Sequence, residues 1–391
     1  MWSTPFFSYQ LTPLFSLYLS GVHQAALDLF LDQTERSQLH FNLGLELYTR
    51  YFRGTSAAVE KKWSDKVENE RQRQQLLFLC VDRLNSGVEA MNRGNQSLSL
   101  QLCEMNLEAA SRAADLAAFD HSLIYTENGL ELLHALGGDY WTNHYELSLG
   151  LHLLFARMCF VNGTERDTEL IDTVDTILEK AKCEKDTTDA RFTLIQYLAA
   201  RGKFADMVDA MYATLEHYGE SLPPNPTPKD ARAAYEDIAA RLGKMTDDEI
   251  ADLPSIEKHP LKNTCIHLLD TMHHPLDHTK YGPSLQVLCA CKMVDMTLKY
   301  GLGGSSASAF GIYGNCILAE FHDIQLSNRV ANLANRLFNQ MRDLSKSSEV
   351  AMHLSVLGGL ISWSKPLGAC MDEVLECYRT GMRLGMMGDA F

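Results

Sequence analysis

From Gly21 onward the apolar residues recur at the spacing of an α-helix. Leu102, Met105, Ala109, Ala113 and Leu116 follow one another at steps of 3, 4, 4 and 3. Leu147, Leu151, Leu154 and Met158 keep the same rhythm, as do Leu170, Val174, Ile177 and Ala181, and Leu326, Val330, Leu333 and Leu337. Each set falls on one helical face. No useful stretch alternates apolar with polar residues, so the pattern predicts an all-α fold without a sheet.

The interruptions are short. Gly137-Gly138, Asn162-Gly163 and Arg201-Gly202 stand where helices end on a residue that tolerates the left-handed conformation. Thr246 followed by Glu249 has the spacing of a capping box. Short connections imply antiparallel neighbours, hence helical hairpins. The stretch 221–228, SLPPNPTP, holds four prolines in eight positions and cannot continue a helix. It is the expected joint between two halves, and a second irregular patch covers roughly 252–262. The expected organisation is an uncharged arm over 1–20, a helical tail and linker over 21–72, a first helical half over 73–220, the joint, and a second half over 229–391.

Small residues inside the hairpins point to a repeat. Ala109, Ala110 and Ala113 precede Phe119, with Gly129-Leu130 on the partner helix; Tyr197, Gly202, Phe204 and Leu215 stand in a related order. Small residues at helix crossings with a bulky ring at the turn suit a tetratricopeptide-like α-solenoid, with units somewhat longer than the usual ~34 residues.

Composition adds limits. Hydrophobic residues make up 46% of the 391 and charged residues 22%, which suits a folded chain. The net charge of −15 opposes nucleic-acid phosphates and anionic lipid, so neither is an expected partner. Ten cysteines without repeated spacing, set among apolar residues, indicate reduced thiols and a cytoplasmic setting. The N-terminal stretch has no basic start, and Pro5, Gln10 and Pro13 break its apolar run, so it suits an arm better than a signal peptide or a membrane span.

Candidate chemistry is sparse. Cys265, His267, Asp270, His273, His274 and His278 crowd one segment, but their spacing fits no closed zinc signature. Cys289 and Cys291, two apart, point to different helix faces and suit the core. Gly301 to Gly304 resembles a phosphate loop, yet no Gly-Lys-Ser/Thr follows; the expectation is a helix break with Ser305 or Ser306 capping the next helix. No catalytic motif, metal site or cofactor is expected. Tyr125, Trp141, Tyr145, Glu146, Tyr313 and Trp363 are candidate partner contacts on a concave face, although aromatic residues of this kind also fill helix crossings.

Several segments resemble a known arrangement. GVHQAALDLF and ERSQLHFNLGLELY are similar to the end of the AAA-type ATPase module in large multi-domain sensor kinases. LEAASRAADLAAFDHSLIYTENGLELL, DYWTNHYELSLGLHLLFARMCFVNG, ARFTLIQYLAARGKFADMVDAMYATLEHYGESLPPNP, MTLKYGLGGSSASAFGIYGNCILAE and ISWSKPLGACMDEVLECYRTGMRLG are similar to the helical-repeat region that follows it. The resemblance implies a non-enzymatic interaction and relay module, a fragment or stand-alone relative of a signalling ATPase's regulatory region. Its partner would be a protein or peptide, or an ATPase or kinase domain in cis or trans. An apolar face carried by His23, Ala26, Phe30, Leu39, Leu43 and Leu47 would pack on the ATPase core. No Walker lysine is present, so no ATP-binding residue carries over. Two other readings stand beside it: a nucleotide-dependent switch or enzyme with an unrecognised site, and a small-molecule sensor with a pocket near 221–228.

Overall fold

The computed structural model describes residues 32–53, 70–91 and 96–341, with 368, 371, 372, 375, 376, 378 and 379. The arm 1–20, His23, Ala26, Phe30 and Trp363 lie outside the described residues. Among the described residues there is no strand; one isolated bridge pairs Ser255 with Leu302. No described helix is long and apolar enough to cross a membrane. Contacts divide the chain into two units, 1–164 and 165–391.

In the first unit, α1 (Gln33–Leu47) passes through a π-helical turn (Tyr48–Phe52). It is followed by α2 (Glu70–Ser86), α3 (Gln96–Asp115), α4 (Phe119–Ala135), the single turn α5 (Tyr140–Asn143) and α6 (Tyr145–Val161). Asp32 and Glu35 open α1 with a reciprocal capping box. The core forms where the expected small residues lie: Ala109, Ala110 and Ala113 of α3 are fully buried. A side chain at Gly129 of α4 would collide with Leu151 of α6 and crowd Asn106 of α3, so glycine permits the three-helix approach. Leu116 lies one residue past the end of α3 and is 59% exposed, so the α3 stripe stops at Ala113.

The face of α1 differs from the expectation. Leu43 is 40% exposed, and Leu39 and Leu47 are only half-buried, whereas Ser37, His40, Gly44 and Tyr48 are buried, with α1 packed on α2. The buried stripe is offset by one residue because Gly44 meets Leu84 too closely for any side chain. The Cys80 thiol donates to the Gly44 carbonyl there, at 3.5 Å.

The second unit holds α7 (Asp167–Lys180), α8 (Glu184–Ala200), α9 (Phe204–His217), α10 (Pro228–Leu242), the short α11 (Asp247–Ala251), α12 (Pro260–Met272), α13 (Gly282–Tyr300), α14 (Ser306–Phe321) and α15 (Ile324–Gln340). α13 is apolar around most of its circumference and packs against α10, α12 and α14, as helices without a polar face do. The proline-rich 221–228 lies inside this unit. Tyr212 donates to the Pro223 carbonyl at 2.7 Å and Tyr281 to the Asn225 amide oxygen at 3.0 Å. Its last proline, Pro228, takes the first position of α10 behind a Thr227–Asp230 capping box, where a missing N–H costs nothing. Gly137, Gly138, Gly163 and Gly202 all have positive φ just past helix ends, and Thr246 and Glu249 form the expected box.

Candidate functional site

The aromatic candidates hold the helices together. Tyr125 is buried, stacks on Phe78 at 5.9 Å and donates to the Asp82 carboxylate at 2.7 Å, joining α4 to α2. Trp141 and Tyr145 are buried with His152, the indole centroid 4.8 Å from the imidazole and 6.0 Å from the phenol. The His152 Nδ1 lies 2.7 Å from the Ser148 carbonyl and so carries the proton, while burial pushes its pKa down and keeps the ring neutral. Glu146 is exposed in the first turn of α6, where a carboxylate complements the helix dipole. These positions make Tyr125, Trp141 and Tyr145 packing residues, because ring faces spent on neighbouring helices are closed to a partner.

Tyr313 of α14 is fully buried and its hydroxyl has no hydrogen-bond partner. An unpaired buried hydroxyl opposes folding. Tyr313→Phe is therefore expected to stabilise the chain by roughly 1 kcal/mol in a chemical melt; a loss of that size would show that the hydroxyl has a partner.

The glycine run has a structural cause. Gly301 sits at φ +112° and ψ −179°, and a side chain there would enter the Pro254 carbonyl. Gly303 is pressed against Asn263 and Ile256. Leu302 N–H donates to the Pro254 carbonyl at 2.8 Å, Ile256 N–H to the Leu302 carbonyl at 2.9 Å, and Gly303 N–H to the Ser306 hydroxyl at 2.9 Å. The loop's N–H groups at 301, 302, 303 and 306 thus have protein acceptors, unlike those of a phosphate cradle. Ser305 occupies the cap position of α14, but its side chain makes no capping bond; Ser306 instead accepts from Gly303.

The histidines of 265–278 do not share one centre, although the His273 and His274 rings meet edge to face at 5.6 Å. His267 stacks on Phe192 at 5.0 Å and approaches the Ser305 hydroxyl at 3.3 Å. His278 stacks on Phe204 at 5.1 Å. His273 is buried, which pushes its pKa down to about 3. Among the described residues, no three His, Cys, Asp or Glu side chains gather closely enough for a metal ion. Burial pushes the Cys265 thiol up to about 11, and the Cys289 and Cys291 thiols also upward, so all three stay protonated near neutrality.

Sequence reasoning missed one charged centre. Glu220, 7% exposed, accepts ion pairs from Lys262 at 2.8 Å and Lys292 at 2.5 Å. Lys262 also donates to the Tyr218 carbonyl at 2.7 Å and lies over the Tyr300 ring. Burial alone would raise the Glu220 pKa; the two lysine hydrogen bonds outweigh it and hold the carboxyl below its ordinary range. The three residues come from the turn that follows α9, from α12 and from α13, and no local pattern connects them.

The sequence matches no family model, and no solved structure matches. The hybrid signal transduction histidine kinase G of Dictyostelium discoideum is 22% identical to this chain over 341 residues, covering 81% of the chain. The chain spans about a tenth of that protein's length, 10%. This is a distant likeness to a signalling protein.

Proposed function

We propose that the chain is a non-catalytic helical interaction and relay module of a signalling system. The observation that carries the reading is the likeness to a hybrid signal transduction histidine kinase across 81% of the chain but only 10% of that protein, the proportion of one module in a long signalling chain. The all-helical architecture supports it. Hairpins such as α3–α4 and α8–α9 are units that pack on neighbours, and a stacked, tetratricopeptide-like array of them couples partner binding to curvature. In this reading the partner is a protein carrying an ATPase, kinase or phosphorelay domain, in cis or in trans.

The test is capture of the intact chain after cross-linking in the cells that make it. A stoichiometric partner bearing such a domain is expected. Recovery of chaperones alone, or of no stoichiometric partner, would overturn the reading.

A further inference from the structure

The proline-rich stretch 221–228 is pinned through some of its residues and presents the others. Leu222 and Pro226 are buried. The Pro223 carbonyl accepts from Tyr212 and the Asn225 amide oxygen from Tyr281. Between and after these anchors, Pro224, Thr227, Pro228 and Lys229 are exposed. Residues 220–227 form no helix, and Thr227 is extended at φ −116° and ψ 160°, the conformation that proline imposes on the residue before it.

Starting α10 accounts for part of this sequence. Thr227 N–H and its hydroxyl both donate to the Asp230 carboxylate, at 3.0 and 2.6 Å, and Asp230 N–H returns a bond to Thr227 Oγ1. That return bond is long, 3.3 Å, in the exposed first turn of a helix, where ends fray. The helix asks of Pro228 only a missing N–H, and its ring is left exposed.

An exposed hydroxyl followed by proline has a second chemical meaning. A protein that buries the position after the hydroxyl without offering an acceptor there leaves an unpaired N–H with every residue except proline. Thr227-Pro228 meets that filter. Thr4-Pro5 and Thr12-Pro13 repeat the pair, but they lie outside the described residues. We infer that Thr227 is the phosphoryl acceptor of a proline-directed protein kinase. Thr227 Oγ1 attacks the γ-phosphorus of a nucleoside triphosphate held by that kinase. The Oγ1–P bond forms, the bond to the bridging oxygen breaks, the nucleoside diphosphate leaves, and the hydroxyl proton passes to a carboxylate of the kinase. The product carries a dianion where α10 begins. Its oxygens take the first-turn N–H groups, which favours the helix dipole, while its charge drives the Asp230 carboxylate out of the box. The inference stands on this segment alone and does not depend on the relay reading.

The experiment has two arms. The intact chain is recovered from the cells that make it, with phosphatases inhibited, and its peptides are mapped by mass spectrometry; phosphate on Thr227 is expected. The purified chain is then incubated with a proline-directed kinase and labelled ATP. Thr227→Asn, which keeps a good helix cap, is expected to lose the label from this peptide. Pro228→Ala, which suits the first helical position, is expected to slow labelling of Thr227 about tenfold or more. Both variants should keep the helical spectrum, so a lost label reports the acceptor and its proline, not the fold. A recovered chain without phosphate on Thr227 overturns the inference, as does labelling of Thr227 at an unchanged rate in Pro228→Ala.

Discussion

Replacing Glu220 with alanine is expected to destabilise the second unit by roughly 3–5 kcal/mol, the cost of leaving a buried ion pair without one partner. Two ammonium groups, each only 19% exposed, converge on this carboxylate. Without it, Lys262 and Lys292 repel one another in a site that excludes most water. Urea denaturation measures the loss, and a value under about 1 kcal/mol, as for a surface pair, would show the lysines fully solvated. The pH dependence has a fixed sign. Because the folded pKa of Glu220 is depressed, its contribution is complete above the unfolded carboxylate value of about 4.3 and fades as pH falls through the lower folded value. The gap between wild type and Glu220→Ala should therefore be constant near neutrality and close only in acid.

Gly301→Ala is the second large effect. Its φ of +112° with ψ near 180° belongs to a region open almost only to glycine, at a cost of roughly 1–3 kcal/mol for other residues. The new methyl would also press on the Pro254 carbonyl, which already accepts from Leu302. Moving that carbonyl breaks the bridge joining 254–256 to the loop before α14. A total loss of about 3 kcal/mol or more is expected in the same urea assay. Gly138→Ala gives the contrast: φ is +72° and the nearest neighbour is a side-chain nitrogen at 3.9 Å. There, about 1–2 kcal/mol of left-handed strain is the whole cost. Equal losses at the two positions would show that Gly301 is kept for its φ alone and not for the close approach.

These sites mark what the amino-acid order discloses. Helix ends were legible because their signals are local: the glycines after α4, α6 and α8 and the Thr246–Glu249 box act within a few residues. Faces were legible where apolar side chains alone decide packing, as for Leu170, Val174 and Ile177, all fully buried. They failed on α1, where the absence of a side chain at Gly44 set the crossing and turned Leu43 outward. The aromatic candidates illustrate the same limit, since a tyrosine in a helix reads alike whether it grips a partner or a neighbouring helix. Only the surrounding α2 placed Tyr125 inside. Glu220 and its lysines, brought together by tertiary folding, left no trace in spacing.

The architecture and the distant likeness to a histidine kinase meet in one expectation, that the chain modulates chemistry performed elsewhere. The direct measurement is phosphate transfer from labelled ATP, assayed with the purified chain alone, with its cross-linked partner alone, and with both. The account predicts no hydrolysis and no labelled residue for the chain alone, and a changed rate for the partner when the chain is added. Turnover by the chain itself, or a partner rate indifferent to its presence, would contradict it.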